Sequence, residues 1–352
     1  MTTSPPRDPP RTASLPDRLP LLRRRGMMLR ATRAFFEARG YLEVETPYLV
    51  PSPGEEVHLR PFRTRLEQPD GQTGDIWLHT SPEFAMKRIV ADLGLPVFQL
   101  ARVWRNGEAG DTHSPEFTML EWYRPGADLA SLMDETERLL QRLLPPAIER
   151  HGGVIRIDQP FERLRMADAF DRHAGADLLG TAGDAAALAR QAGLELRPGE
   201  DWEDLFFRLL LERIEPQIGQ TRPTFLTHWP AAQAALARRD PADPRVALRF
   251  ELYAGGLELA NAFDELTDPV EQAARFAVDR ERRVALRGPD PDAAWPLDES
   301  LIAALPRLPD CAGIALGFDR LAMLATGAER IEDVLWLTHR PTKAGCPPAE
   351  KL

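Results

Sequence analysis

The run from Trp104 to Tyr123, WRNGEAGDTHSPEFTMLEWY, most narrows the folds open to this 352-residue chain. Val97 to Val103 before it and Glu116 to Tyr123 at its end have strand character, and a short polar loop lies between them. That pattern predicts a hairpin with an arginine, a histidine and several carboxylates gathered at its turn. Glu121 and Tyr123 stand two residues apart, so they leave the same strand face and can share one pocket. The hairpin therefore reads as catalytic.

Around it the pattern alternates between helices and strands without internal repeats, which predicts a mixed α+β domain. Leu22 to Arg39 is helix-compatible, with Met28, Leu29, Phe35 and Phe36 able to share a face and Gly40 as a C-terminal stop. Ile76 to His79 reads as a strand, and Ser81 opens a helix whose first turn holds Glu83. Leu248 to Tyr253 and Leu257 to Phe263 flank Ala-Gly-Gly, a hairpin signal. Helices are expected near 269–287 and 298–305, and a strand from Gly313 to Leu316 runs through Gly317 into a helix containing Arg320. The stretch from about 125 to 245, rich in Ala, Leu, Arg and Pro, reads as a helical and irregular insertion. Residues 1–16 form a Pro-rich leader expected to be disordered, and 341–352 a flexible tail.

Bulk properties exclude several classes. A net charge of -10, from 54 acidic and 44 basic residues, argues against a generally basic nucleic-acid surface. Cys311 and Cys346 are too few for a disulfide framework or a zinc cluster, which makes a reducing cytoplasm the default. No apolar stretch is long enough to span a membrane. The Arg23 to Arg25 run reads as a solvated helix face.

Three blocks, in order, carry a family resemblance. The Trp104 to Tyr123 run resembles motif 2 of the class II aminoacyl-tRNA synthetases, nearest the lysyl branch. Arg249 to Leu266, RFELYAGGLELANAFDEL, resembles the strand pair with that branch's metal-binding glutamates, and Gly313 to Leu324, GIALGFDRLAML, resembles motif 3. A motif 1-like segment, RGYLEVETP, ends at Pro47 and leaves no room before it for an anticodon-binding domain. The likeness covers roughly residues 18–340 and is similar to the elongation factor P lysine ligases, stand-alone lysyl-synthetase paralogues. It implies a six-stranded antiparallel sheet flanked by helices, a catalytic domain over 17–340, and a homodimer with Pro47 at the interface.

The resemblance implies ATP-dependent formation of a lysyl-type adenylate from (R)-β-lysine, then transfer to a lysine of elongation factor P, with tRNA an unlikely partner. Arg105 would hold the α-phosphate and Arg320 the far end of ATP, as suits a fork-shaped cation that stays protonated. Asn106, Gly107, Ser114, Leu259 and Gly317 would complete the nucleotide contacts. Glu251 and Glu258 would hold Mg2+, which prefers oxygen ligands and bridges phosphates. In the amino-acid pocket, Ser81, Pro82 and Glu83 would meet the backbone-side amine. Glu121, Tyr123 and Glu265 would surround the distal ammonium, with Asn261, Phe263 and Ala315 lining the rest.

Three positions depart from the family pattern. Gly107 replaces the glutamate of R-N-E, and Glu108, one step on, is expected to point elsewhere. Ser114 replaces an asparagine, and Ala262 a glycine. Ala315 matches the ligases, where the tRNA synthetases carry glycine. Two other readings stay open: a minimal synthetase that charges tRNA or another acceptor, and a catalytically silent regulatory paralogue. Against silence stand Arg105, Glu251, Glu258 and Arg320, all present.

Overall fold

The computed structural model describes residues 13–338 apart from 289, 291 and 292. Helix α1 (Leu15–Glu37) begins inside the expected leader, with Leu15 and Pro16 already helical. Proline in a first turn costs no hydrogen bond, because its missing N–H would have had no partner there. Residues 1–12 of the leader and all of the tail lie outside the described residues.

After α1 come the short strands β1 (Leu42–Glu43) and β2 (Leu49–Val50), then the hairpin β3 (Phe62–Glu67) and β4 (Thr73–Leu78). Helix α2 (Glu83–Leu93) leads into β5 (Val97–Trp104) and β6 (Glu116–Pro125). The middle section holds α3 (Leu129–Leu143), the hairpin β7 (Ala147–Arg150) and β8 (Gly153–Arg156), and β9 (Glu162–Arg165). It continues through α4 (Met166–Ala174), α5 (Ala185–Ala192) and α6 (Trp202–Leu209) to β10 (Thr224–Pro230). The final part contains β11 (Val246–Ala254), β12 (Leu257–Asp264), α7 (Pro269–Arg287), α8 (Glu299–Ala304), β13 (Cys311–Gly317) and α9 (Phe318–Thr326).

The main sheet runs β1-β5-β6-β13-β12-β11-β10-β9. Its six central strands are mutually antiparallel, as the family resemblance implies. β1 and β9 extend it as parallel edge strands. The section expected to be helical thus also supplies two strands of this sheet. β9 reads Glu-Arg-Leu-Arg with only Leu164 buried, an edge composition that hides its strand character.

Register explains why the sheet has one chemical face. Glu121 pairs with Ala315, Ala315 with Asn261 and Asn261 with Glu251. Two residues along, Tyr123 pairs with Gly313, Gly313 with Phe263 and Phe263 with Arg249. Side chains alternate along a strand, so both rows project to one side. The intervening residues, Trp122, Ile314, Ala262 and Phe250, enter the opposite core with Phe36, Leu132 and Leu321 from α1, α3 and α9. Phe36 stacks on Phe98 of β5 at 4.7 Å, locking α1 to the back of the sheet. Gly255 and Gly256 both have positive φ, 58° and 73°, which the tight β11–β12 turn requires. Among the described residues no helix is long and apolar enough to cross a membrane.

Candidate active site

The chemical face floors a cleft walled by the β5–β6 loop, the loop before α2 and the start of α9. Ser81, Glu83, Arg105, Ser114, Tyr123, Glu258, Leu259, Asn261, Phe263, Ala315, Gly317 and Arg320 all line it. Glu121 and Glu265 lie buried behind that lining, and Glu251 is buried beside it. Pro82 is instead the residue preceding α2, and Asn106 and Gly107 shape the loop without facing the cavity.

At one end stand the arginines. Arg105 Nε donates to Thr80 O at 3.4 Å, and its guanidinium lies 5.3 Å from the Phe117 ring centre. Arg320 NH1 donates to the Glu258 carbonyl at 2.8 Å, and its NH2 lies 2.6 Å from His113 Nε2. Burial and the Arg320 charge both lower the His113 pKa, so the neutral ring accepts that hydrogen bond. His113 therefore orients Arg320, a role the sequence reading left unassigned.

Gly107 has φ of +84°, a conformation that a glutamate there would adopt only with strain. The chain turns at this glycine, and Glu108, expected to point elsewhere, lines the cleft with Oε1 3.9 Å from Arg105 NH1.

Arg320 is placed by its neighbour. Asp319 is buried, takes the Arg25 guanidinium at 2.8 Å, and accepts the backbone N–H of Thr118 at 2.7 Å. Arg25 also donates to Thr118 Oγ1 at 2.8 Å. One carboxylate thus ties α1, β6 and α9 together beside both arginines. Of the presumed solvated run only Arg23 is exposed; Arg25 is buried because α1 turns it towards Asp319.

A second group of carboxylates surrounds the β11–β12 hairpin. Glu251 accepts from Arg249 NH2 at 2.6 Å and from Tyr253 OH, and Tyr253 OH also reaches Glu215 at 3.3 Å. Burial first, then the nearby Glu258 charge, pushes both Glu251 and Glu215 up to about 7. Carboxylates crowded in this way suit a cation. Among the described residues no group of three or more metal-ligating side chains holds an ion by itself. Carboxylate oxygens are the donor chemistry of a hard ion. Glu215 comes from the middle section, and nothing in its sequence surroundings marks it.

The other end is acidic. Ser81 Oγ donates to Glu121 Oε1 at 2.5 Å while accepting the Glu83 backbone N–H at 3.0 Å. Tyr123 OH donates to Glu121 Oε2 at 3.1 Å. Burial, followed by repulsion from Glu83, pushes Glu121 up to about 8 against those hydrogen bonds. Among the described residues no cation pairs with it. Glu83 and Glu265, by contrast, are both engaged by buried Lys87, at 2.6 Å each. Lys87 was invisible to sequence reasoning, since Met-Lys-Arg on a helix reads as a solvent face.

Comparison with known proteins agrees in extent as well as kind. The chain is 45% identical over 327 residues to a Klebsiella pneumoniae protein described as elongation factor P–(R)-β-lysine ligase, covering 91% of this chain and 95% of that one. A Salmonella dublin protein with the same description is 44% identical over 328 residues, with the same coverage. Residues 15–340 match the tRNA synthetases class II (D, K and N), and the chain belongs to that family.

Proposed function

We propose that this protein activates (R)-β-lysine with ATP and transfers it to the ε-amine of a lysine on elongation factor P. The observation that carries the reading is the cleft's lining, which holds two arginines, Arg105 and Arg320, and backs onto a buried glutamate, Glu121, that pairs with no cation among the described residues. Phosphates belong beside the arginines and an ammonium beside the glutamate. The description of the relatives supplies the identity of the amino acid and the acceptor.

In the first step a carboxylate oxygen of β-lysine attacks the α-phosphorus and pyrophosphate leaves. Arg105 neutralises charge on the α-phosphate as it develops, and Arg320, held by His113, grips the far phosphates. Glu251 and Glu258 would hold Mg2+, which supplies charge neutralisation at the phosphates. Glu83 receives the amine near the reacting carboxyl, Glu121 and Tyr123 the distal one, and Phe263 packs on the methylene stem. In the second step the neutral acceptor amine attacks the acyl carbon, AMP leaves and an amide forms. A neighbouring cavity shares Glu56, Ser81, Glu83, Asn261 and Phe263 with the cleft and gives that amine a separate approach.

Leu42, Tyr48 and Leu49 are exposed beside Pro47, in keeping with a homodimer built through the segment after α1. The cytoplasm is the setting that elongation factor P requires. Amino-acid-dependent exchange of labelled pyrophosphate into ATP tests activation. Exchange should be strongest with (R)-β-lysine, and its absence with every lysine isomer would leave a silent paralogue.

A further inference from the structure

Lys87 takes no part in the chemistry above, yet it is 1% exposed and touches two of the three acids assigned to the substrate amines. Burying an ammonium is costly unless it is paired, so a lysine here needs a compensating purpose or partner. Burial alone would lower its pKa. The pull of Glu265 and then of Glu83 more than offsets this and keeps it protonated. With Glu83, Glu121 and Glu265 ionised around a bound substrate, one ammonium cancels one carboxylate. Two negative charges remain, the number that two substrate amines neutralise.

We propose that Lys87 is a positioning residue that sets the charge of the amino-acid pocket to match a doubly cationic substrate. It also holds Glu83 and Glu265 together, so that Glu121 meets the distal amine without competition from a third free acid. The inference rests on the lysine-type substrate proposed above. Other charged or titratable groups facing the cluster are Glu56, Arg105, Tyr123, Asp264 and Cys311. Arg105 is held by the Thr80 carbonyl and Glu108 and forms no ion pair with the three acids among the described residues, and Asp264 is bound by Arg238, so neither replaces Lys87.

The test compares the full-length wild type with Lys87→Met, Glu265→Gln and the double variant by β-lysine-dependent pyrophosphate exchange across pH. Lys87→Met keeps the stem and strands an acid. It should reduce kcat/KM on the order of 100-fold, mostly through KM, as expected when a buried pair loses one member. Its activity should recover as pH falls, because burial favours the proton on Glu265 once Lys87 no longer opposes it, and that proton restores two negative charges. The double variant carries two negative charges at every pH in that range, so it should exceed Lys87→Met in kcat/KM and lose that recovery at low pH. A double variant no better than Lys87→Met, with no recovery of Lys87→Met at low pH, would show that Lys87 only packs. Should Lys87→Met not fold, the double variant must still exceed Glu265→Gln, or the inference falls. Wild type without exchange would instead overturn the substrate reading itself.

Discussion

A methyl group on Gly313 would sit 2.3 Å from Glu265 Oε1 and 2.3 Å from Tyr123 Cε1, both closer than any carbon tolerates. Tyr123 and Glu265 are fully buried and cannot retreat, so Gly313→Ala should push them into the space for the distal amine. Steady-state exchange should show KM for β-lysine raised at least roughly tenfold, a cost of about 1.4 kcal/mol, with KM for ATP little changed. Equal increases in both would place the effect elsewhere. Glu121 makes a second prediction. Because its pKa is raised to about 8, the native state binds more protons than the unfolded chain between about pH 4.5 and that value. It therefore contributes less stability as pH rises through that window, and an incoming ammonium must displace its proton. Calorimetric titration of β-lysine near about pH 7, in buffers of different ionisation enthalpy, should reveal net proton release that Glu121→Gln removes. Heats independent of buffer would contradict it. At this scale the sequence showed residues whose chemistry is exposed by motif, such as Arg105 and Glu121. It concealed Lys87, His113 and Glu215, whose roles depend on a partner distant in the chain.

Elements were legible where local pattern and packing agree. The hairpin of β5 and β6, the Gly-Gly turn between β11 and β12, and the passage from β13 into α9 all follow from alternation and turn chemistry. β9 was missed because it is a short, parallel-paired edge strand with arginines facing outward, and β10 because no tight turn joins it to its antiparallel partner β11. The burial of Arg25 escaped for a related reason, since only the docking of α1 onto α9 supplies Asp319. That clamp has a measurable worth. Arg25→Met leaves Asp319 buried with its backbone bond to Thr118 alone, and breaking such a pair typically costs about 3–5 kcal/mol. Chemical denaturation should show a loss of that order, together with weaker ATP use because Arg320 follows Asp319. A change below about 1 kcal/mol would mean that the clamp resembles an exposed pair.

For the molecule as a whole, the antiparallel sheet acts as a ruler. Register places the acids near β6 and the paired carboxylates near β11, while helices seal the other face. Composition gave only boundaries, because a charge of -10 is compatible with many enzymes and the site's own charges are local. On the proposed function, the acyl group formed in this cleft goes to a protein amine. Incubating the purified protein with ATP, magnesium and labelled (R)-β-lysine or α-lysine, with elongation factor P and bulk tRNA as separate acceptors, tests it directly. Label should appear on elongation factor P, and more of it with (R)-β-lysine. Label on tRNA alone would contradict it and make this a minimal synthetase.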